Sequence, residues 1–198
     1  MDKADFRINA KNIRKSLDIK AISHKICEKI RNHNIYKTSQ NVMIFYPLKY
    51  EIDLLELLED DKNFYLPKVL NQRVCCHSEA ENYMRSFASL KMTEAEESHK
   101  NFNQLLVCPY SSDLKKSDLN IYEPCTEPVN PEILDLIFVP ALMVDKENYR
   151  LGYGGGFYDR FLAKYPNIKT ITPIAKELIV ENLPHDEFDK KVDEIIFR

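Results

Sequence analysis

The chain has 198 residues, of which 44% are apolar and 30% are charged, so its length and composition predict one domain with a full core and argue against an intrinsically disordered chain. With 28 basic and 31 acidic residues the net charge is -3, and attraction of the whole chain to nucleic acid or anionic lipid is not the expected mode of action. No apolar run approaches the roughly 18 residues that span a bilayer, and the N-terminus has no apolar secretory core, so we expect a cytoplasmic protein.

The first thirty-odd residues predict helix. Ile13 and Leu17, then Ile22, Ile26 and Ile30, recur at four-residue intervals, which is the spacing of an amphipathic helix. Lys, Arg and Glu occupy the other faces.

The basic side chains of this segment have two interpretations. They are Lys3, Arg7, Lys11, Arg14 and Lys15. The simpler interpretation is a solvated helix face. The alternative is that the basic residues at one end supply cations to an anionic ligand.

The middle of the chain predicts short elements between prolines and polar stretches. Apolar runs predict strands at 41–46, 63–66 and 105–108. A proline follows each run directly and is expected to end the strand. Residues 54–59 predict a short helix. The polar stretch 71–100 predicts loop with some helix, and 110–131 predicts mostly irregular chain.

The second half alternates strand and helix signals. Residues 134–144 form a nearly continuous apolar run, which is typical of a strand covered on both faces in a parallel sheet. The apolar residues between Phe157 and Tyr165 have helical spacing, and strands are predicted at 170–175 and 194–197. This alternation predicts an α/β fold, a three-layer α/β/α arrangement with a mostly parallel sheet.

Glycine is unusually scarce and unusually clustered. Average usage would put about 14 glycines in a chain of this length, but there are four. All of them fall in one short segment, at Gly152, Gly154, Gly155 and Gly156. Because the chain avoids glycine elsewhere, this segment is the first candidate for function.

The segment from Arg150 to Arg160 has the chemistry of a phosphate site. It follows a predicted buried strand and leads into a helix, which is where ligands of open α/β sheets bind. Glycines let consecutive N–H groups turn toward one point, and a helix start adds partial positive charge. Arg150 offers a bidentate clamp, whereas Asp159 is either a favourable charge on the helix dipole or a magnesium ligand. The spacing matches neither the dinucleotide fingerprint nor the P-loop, so a simple tight turn is the alternative.

A family resemblance rests on the string Arg150-Leu-Gly-Tyr-Gly-Gly-Gly-Phe-Tyr-Asp-Arg160 after the run DLIFVP. The string resembles the signature of the 5-formyltetrahydrofolate cyclo-ligase family. The resemblance covers most of the chain, with a poor match only over about residues 70–120. Its other segments are Lys3-x-x-x-Arg7, Phe-Tyr-Pro at 45–47, Glu51-Ile-Asp, residues 66–69, Glu123-Pro124 and the tail 189–196.

The resemblance implies a single domain over residues 1–198 with a sugar-phosphate isomerase and CoA-transferase-like architecture. It implies an ATP- and magnesium-dependent closure of 5-formyltetrahydrofolate to 5,10-methenyltetrahydrofolate, with ADP and phosphate released. Phosphorylation of the formyl oxygen followed by intramolecular attack would give this product. The implied protein is a cytoplasmic monomer that acts on a small molecule, without nucleic-acid or membrane partners.

Nucleotide contacts are implied at the N-terminus and in the glycine segment. Lys3 and Arg7 match the family's N-terminal nucleotide-contacting pair. Arg150 and the run after it match the phosphate loop, and Arg150 and Asp159 are the implied catalytic residues. The run consists of Leu151, Gly152, Tyr153, Gly154, Gly155, Gly156, Phe157 and Tyr158.

Folate and metal contacts are implied in the same way. Tyr46 and Glu51 match folate-contacting positions, and a carboxylate suits the donor-rich edge of a pterin. Asp159 and Asp189 match the metal-coordinating aspartates, with Asp193 as the reserve candidate. The loop residues that also face folate in relatives are Tyr153, Gly154, Gly155, Gly156 and Phe157.

Three positions depart from the family pattern. Asn148 stands where glycine is common, and asparagine tolerates the positive φ that such a turn requires. Phe157 replaces a tyrosine and keeps only its ring. Leu178 stands where relatives often carry glutamine, so we expect one polar contact to the substrate to be altered.

Two other functions compete with cyclo-ligase activity. One is a non-catalytic relative that binds nucleotide or RNA, which should lack the metal aspartates or the glycine loop. The other is an enzyme of the same architecture that acts on a sugar phosphate or a CoA ester and does not need ATP.

Overall fold

The structure is a computed structural model and describes residues 2–70, 104–117 and 120–198. The expectation for residues 71–100 lies outside the described residues. Within the described ranges, no helix is long and apolar enough to cross a membrane.

The described helices and strands follow the predicted alternation. The α-helices are α1 (Lys3–Ser16), α2 (Ile19–Asn32), α3 (Asn34–Thr38) and α4 (Phe157–Lys164), and 3-10 helices cover Leu55–Glu59, Pro131–Ile133 and Lys176–Leu178. The strands are β1 (Asn41–Met43), β2 (Asn63–Leu70), β3 (Gln104–Pro109), β4 (Leu114–Lys116), β5 (Tyr122–Pro124), β6 (Leu136–Phe138), β7 (Met143–Asp145), β8 (Arg150–Leu151), β9 (Lys169–Ile174), β10 (Ile179–Val180) and β11 (Glu194–Phe197).

The N-terminal helical segment is two helices rather than one. The Asp2 side chain caps the start of α1 and exchanges hydrogen bonds with Asp5 in a capping box. The chain becomes extended at Leu17, and the Asp18 side chain accepts from the N–H of Ala21 to start α2. An aspartate at such a position satisfies helix N–H groups that would otherwise lack a partner, which explains why the apolar spacing continues across a break.

The main sheet has the order β11-β9-β6-β1-β2-β3. Every neighbouring pair in it is parallel except β2 and β3, which are antiparallel. The prediction of a mostly parallel sheet is therefore confirmed. Two smaller sheets, β10-β7-β8 and the hairpin β4-β5, lie beside it.

Alternate residues of the central strands face two different cores, as a three-layer fold requires. Val42 packs in one apolar cluster with Ile26 of α2. Met43 and Ile137 pack in a second cluster with Phe161 of α4. Each fully buried side chain of this kind contributes about 1.5–3 kcal/mol relative to an exposed one, so the two clusters fix one helical layer on each face.

Several strand boundaries differ from the predictions, including that of β1, which ends at Met43 instead of Tyr46. The run 134–144 is not one strand, because the chain leaves β6 at Val139-Pro140 and enters β7 in a different sheet. Pro67 does not end β2, which continues to Leu70. Since β1 pairs only with Asn63–Tyr65, one edge of β2 is free of β1 at Pro67, and a proline is tolerated there. The segment 110–131 contains the hairpin β4-β5.

Helix α1 presents one face to the rest of the molecule. At about 100° per residue, Lys3, Arg7, Ala10 and Arg14 lie within roughly 60° of one another around the helix. Ala10 is fully buried against the cluster that contains Val144, and its small side chain lets the helix approach closely. The charged residues on either side of Ala10 are thereby held against the body of the protein.

Helix α2 holds the segment that follows Tyr50. The N–H of Asp53 donates to the Ser23 hydroxyl at 2.9 Å, and His24 Nδ1 lies 2.8 Å from Glu56 Oε2. Arg31 binds Glu56 as well. These contacts fix the chain just after Glu51.

The hydrogen bond to Glu56, and then its charge, raise the pKa of His24 above the ordinary 6.5. The contribution of this pair to stability is complete below about pH 6.5 and is lost as the pH rises through the raised pKa. We expect an NMR titration of the His24 ring to give a pKa above 6.5, and Glu56→Gln to return it toward the ordinary value. An unshifted His24 in the unsubstituted protein would contradict the contact.

Candidate active site

One cavity of about 870 Å³ lies between α1, the glycine segment before α4, the ends of β1 and β2, and the chain near Asp189. Every residue predicted for the site lines it, except the reserve metal candidate Asp193. These residues are Lys3, Arg7, Tyr46, Glu51, Arg150, Leu151, Gly152, Tyr153, Gly154, Gly155, Gly156, Phe157, Tyr158, Asp159 and Asp189. Their roles stay predictions, but their positions are compatible with a single binding site.

The glycine segment is set up by the hairpin β7-β8. Asp145 Oδ1 accepts from the N–H groups of Glu147 and Tyr149 at 2.9 Å each. Asn148 adopts a φ of 68°, so the expectation that asparagine can replace glycine in this turn is confirmed. The short strand β8 then leads from the turn into the glycines.

Two glycines of the segment have backbone conformations that disfavour other residues. Gly154 has φ 102° and Gly156 has φ 63°, both in the region where a Cβ is strained. Gly156 is the N-cap of α4 and supplies no side-chain capping bond. Glycine has no side chain that could cap the helix, so the first N–H groups of α4 suit the binding of an anion.

Helix α1 contributes two cations to the cavity lining. Arg7 Nε donates to the carbonyl of Gly152 at 3.0 Å. Lys3 Nζ donates to Asp189 Oδ2 at 2.6 Å and to Asp186 Oδ2 at 2.8 Å. Burial lowers the pKa of Lys3, but the two ion pairs outweigh that effect and raise it, so Lys3 carries its charge. No sequence pattern had marked Asp186.

Arg150 and Asp159 form an ion pair in the cavity wall. Arg150 Nη2 donates to Asp159 Oδ1 at 2.8 Å, and the side chain of Arg150 is only 3% exposed. The N–H of Lys190 also donates to Asp159 Oδ1, at 3.2 Å. Arg150 Nε is buried and has no hydrogen-bond partner among the described residues. Burial raises the pKa of the neighbouring Tyr158 phenol, so this wall carries a neutral tyrosine beside the ion pair.

The predicted metal aspartates lie on the same cavity but do not form a complete cage. The described part of the chain has no group of three or more His, Cys, Asp or Glu side chains that could hold a metal ion. Mg²⁺ commonly uses one or two carboxylates together with substrate phosphates and water. Asp159 and Asp189 fit such a site, with phosphate supplying the remaining ligands.

The reserve metal candidate, Asp193, has a structural role. Its Oδ2 accepts from the N–H and the hydroxyl of Thr170, at 2.8 and 2.9 Å. It is not among the residues that line the cavity. This aspartate therefore joins β9 to the chain before β11.

The cavity lining also includes a buried carboxylate and aromatic rings. Glu51 is 5% exposed, and its Oε2 accepts from the N–H of Leu48 at 2.7 Å. The Tyr153 hydroxyl donates to Glu51 Oε1 at 2.5 Å. The rings of Tyr46 and Tyr122 lie 4.9 Å apart. Tyr122 comes from hairpin β4-β5, in a segment predicted to be irregular, so the sequence did not indicate it.

The simpler interpretation of the basic face is wrong for Arg14, whereas Lys11 and Lys15 are exposed as it predicts. Arg14 is 5% exposed, and its Nη1 donates to the Tyr153 hydroxyl at 3.0 Å. Ala10, a small residue on the same face of α1, was the signal that could have indicated close packing there.

The remaining departures from the family pattern have different outcomes. Phe157 lines the cavity, with the Arg160 guanidinium 5.4 Å from its ring centre. Leu178 is 1% exposed and packs in an apolar cluster with Leu142. It is not among the residues that line the cavity, and the expected change in a polar substrate contact stays a prediction.

Comparison with known proteins gives consistent matches. The model of the 5-formyltetrahydrofolate cyclo-ligase family matches residues 6–198. A protein named 5-formyltetrahydrofolate cyclo-ligase from Mus musculus is 27% identical over 182 residues, covering 87% of this chain and 80% of the relative. The Haemophilus influenzae protein of the same name is 27% identical over 172 residues, covering 81% of this chain and 76% of the relative.

Solved structures also match. The NMR structure of Aquifex aeolicus 5,10-methenyltetrahydrofolate synthetase is similar with a TM-score of 0.72 and 26% identity, covering 100% of this chain and 90% of that one. A 5,10-methenyltetrahydrofolate synthetase from Mycoplasma pneumoniae is similar with a TM-score of 0.67 and 18% identity, covering 99% and 98% of the two chains. At that identity the second match supports the fold alone, and it agrees with the predicted architecture.

Proposed function

This chain belongs to the 5-formyltetrahydrofolate cyclo-ligase family, and we propose that it converts 5-formyltetrahydrofolate and ATP into 5,10-methenyltetrahydrofolate, ADP and phosphate. One observation carries the proposal beyond family membership. A single cavity is lined both by a glycine-rich segment with cationic side chains and by a buried carboxylate with aromatic rings. We assign the first group of residues to a triphosphate and call it the nucleotide end, and we assign the second group to a pterin and call it the folate end.

The chemistry explains the need for ATP. A formyl oxygen is a poor leaving group, and transfer of the γ-phosphoryl group to it creates a good one. The neighbouring folate nitrogen then attacks the activated carbon, the ring closes and phosphate departs. This route requires no covalent bond to the enzyme, so catalysis consists of positioning and charge stabilisation.

The nucleotide end of the cavity is proposed to hold the phosphates. Lys3 and Arg7 approach from α1, and Arg150 lines the same cavity with an Nε–H that has no hydrogen-bond partner among the described residues. The N–H groups of the segment 152–158 complete the set of donors. Arginine donors pair with phosphate oxygens in a bidentate manner, so this end orients the nucleotide.

A magnesium ion is proposed to be held by Asp159 and Asp189 together with phosphate oxygens. When bound, it would neutralise charge that develops during phosphoryl transfer. The ion pair between Arg150 and Asp159 keeps the aspartate oriented toward the cavity wall. Lys3, which contacts Asp189, connects the metal ligand to α1.

The folate end is proposed to consist of Tyr46, Glu51 and the loop from Tyr153 to Phe157. Glu51 offers a negative hydrogen-bond acceptor to the donor-rich edge of the pterin. The rings of Tyr46 and Tyr122 provide apolar area for a flat ligand. Because the glycine segment belongs to both groups of residues, the formyl group is proposed to meet the γ-phosphate beside it.

The same proposal includes a single domain that works as a cytoplasmic monomer. The described free thiols Cys27, Cys108 and Cys125 suit a reducing compartment. A non-catalytic nucleotide- or RNA-binding relative is not favoured, because the glycine loop and both aspartates are present at one cavity.

The direct test mixes the purified protein with 5-formyltetrahydrofolate, ATP and magnesium and follows the absorbance of the methenyl product. We expect product formation that requires all three components, with one ADP formed per ring closed. ATP turnover that is indifferent to 5-formyltetrahydrofolate, or no turnover at all, would support one of the competing functions instead.

A further inference from the structure

Arg14 is a buried charge that lies behind the cavity rather than in it. It belongs to the last turn of α1, its side chain is 6% exposed, and it is not among the residues that line the cavity. Its Nη1 donates to the Tyr153 hydroxyl at 3.0 Å, and its Nη2 donates to the carbonyl of Ala141. One guanidinium therefore joins α1 to the glycine segment and to the turn between β6 and β7.

The hydrogen bonds that join Arg14, Tyr153 and Glu51 have a fixed order of donors and acceptors. Arginine has only donors, so the oxygen of Tyr153 accepts from Arg14 and its single proton must point elsewhere. That proton is donated to Glu51 Oε1, at 2.5 Å. Burial, and then the charge of Glu51, raise the pKa of the phenol, so the proton stays on Tyr153. The donor order is Arg14 to Tyr153 to Glu51.

The same arrangement balances a buried charge. Glu51 is 5% exposed, and Arg14 Nη1 lies 3.9 Å from its Oε1. Removal of one partner of a buried ion pair leaves the other charge without compensation. The second oxygen of Glu51 accepts from the N–H of Leu48, so a hydrogen bond holds each carboxylate oxygen in place.

We infer that Arg14 is a positioning residue for the folate end of the cavity, acting through the Tyr153 hydroxyl on the Glu51 carboxylate. The inference rests on the proposed function, in which Glu51 and Tyr153 contact folate. It adds a residue behind the cavity that orients both of them.

The contacts of α1 make the expected effect selective. Lys3 and Arg7 reach Asp189 and the carbonyl of Gly152, at the nucleotide end. Arg14 contacts neither of these groups in the described part of the chain. Its replacement should therefore weaken folate binding while leaving the affinity for nucleotide unchanged.

The test uses Arg14→Met, which keeps the length of the side chain but removes its charge and donors. Lys15→Met is the matched control, since Lys15 is the next residue of the same helix and is exposed. We expect the KM for 5-formyltetrahydrofolate to rise about 10- to 100-fold in Arg14→Met, as for loss of a hydrogen bond to a charged group. The KM for ATP should not change, and Lys15→Met should leave both values unchanged.

Tyr153→Phe breaks this chain of hydrogen bonds in a second way, because it keeps the ring and both charges. It should raise the KM for folate as Arg14→Met does, and the double variant should lose less than the product of the two effects. If Arg14→Met fails to fold, Tyr153→Phe alone tests the inference. Arg14→Lys should restore part of the folate affinity, because it keeps the charge but not the fork of donors.

Two results would overturn the inference. One is an unchanged KM for folate in Tyr153→Phe and in any folded Arg14→Met, and the other is an equal rise in the KM values for folate and ATP. Glu51→Gln separates this failure from failure of the proposed function. If Glu51→Gln weakens folate binding but the other variants do not, the role of Arg14 is wrong. If Glu51→Gln has no effect either, the folate end has been assigned incorrectly.

Discussion

Replacing Asp159 with asparagine is expected to slow formation of methenyltetrahydrofolate by roughly 100- to 10,000-fold, which corresponds to several kcal/mol of lost charge stabilisation. Asparagine keeps the shape of the side chain and can still accept from Arg150 Nη2, which now donates to Asp159 Oδ1 at 2.8 Å. It removes the negative charge that a magnesium ion requires, and it leaves Arg150, which is buried, without its counter-ion. The fold should survive, because the N–H of Lys190 keeps an acceptor.

Steady-state rates at several magnesium concentrations test this prediction. Asp193→Asn is a useful control, since Asp193 is also an aspartate near the C-terminus but binds Thr170 rather than lining the cavity. It should lower stability and leave the rate per folded molecule close to normal. Unchanged magnesium-dependent turnover in Asp159→Asn, or an equal loss of rate in folded Asp193→Asn, would show that Asp159 has no special role.

Gly154→Ala is expected to weaken ATP binding more than folate binding. Gly154 has φ 102°, a conformation that costs a residue with a Cβ about 1–3 kcal/mol. The added Cβ itself would lie 3.6 Å from the Arg7 guanidinium, an ordinary contact. Backbone strain rather than crowding is therefore the reason for the loss. Relief of that strain would turn the N–H groups of the loop away from the phosphates, with a loss of ATP affinity of roughly 5- to 150-fold.

Titration calorimetry with ADP and, separately, with 5-formyltetrahydrofolate measures the two affinities in the same variant. Folate affinity is the comparison, and we expect it to fall less than nucleotide affinity because Glu51 and Tyr46 lie outside the altered turn. Urea unfolding shows whether strain has been transferred to overall stability. Equal weakening of both ligands would mean that Gly154 supports the whole cavity instead of its nucleotide end.

The glycine segment could be predicted because its residues act locally. Four clustered glycines in a chain that otherwise has none require a special backbone, and two of them have positive φ. The spacing from Phe157 onward predicted α4, and β11 lies where its apolar run predicted. These features depend on neighbours in the sequence, so the sequence alone is sufficient to predict them.

Arg14 could not be assigned because its environment comes from distant parts of the chain. Its contacts are Tyr153, Glu51 and Ala141, and helical spacing does not say which face of α1 is covered. Ala10, a small residue among charged ones on that face, was the available signal for close packing. Unless that signal is used, a charged residue on this face is interpreted as solvated rather than as buried.

The run 134–144 was misjudged for a related reason. Apolar composition predicts burial, and every residue from Leu136 to Val139 is indeed buried. Apolar composition does not predict the direction of the chain, and after the turn at Pro140 strand β7 belongs to another sheet. A proline within an otherwise central strand argues against one continuous strand, so this residue was the signal that should have divided the run.

A crystal structure of the protein with a non-hydrolysable ATP analogue and 5-formyltetrahydrofolate is the most direct test of the proposal that one cavity holds both substrates. We predict that the triphosphate contacts the N–H groups of the glycine segment and the side chain of Arg150, with the pterin edge at Glu51 and the formyl oxygen facing the γ-phosphate. A triphosphate bound away from Arg150 and Asp159, or a folate bound outside this cavity, would contradict the account.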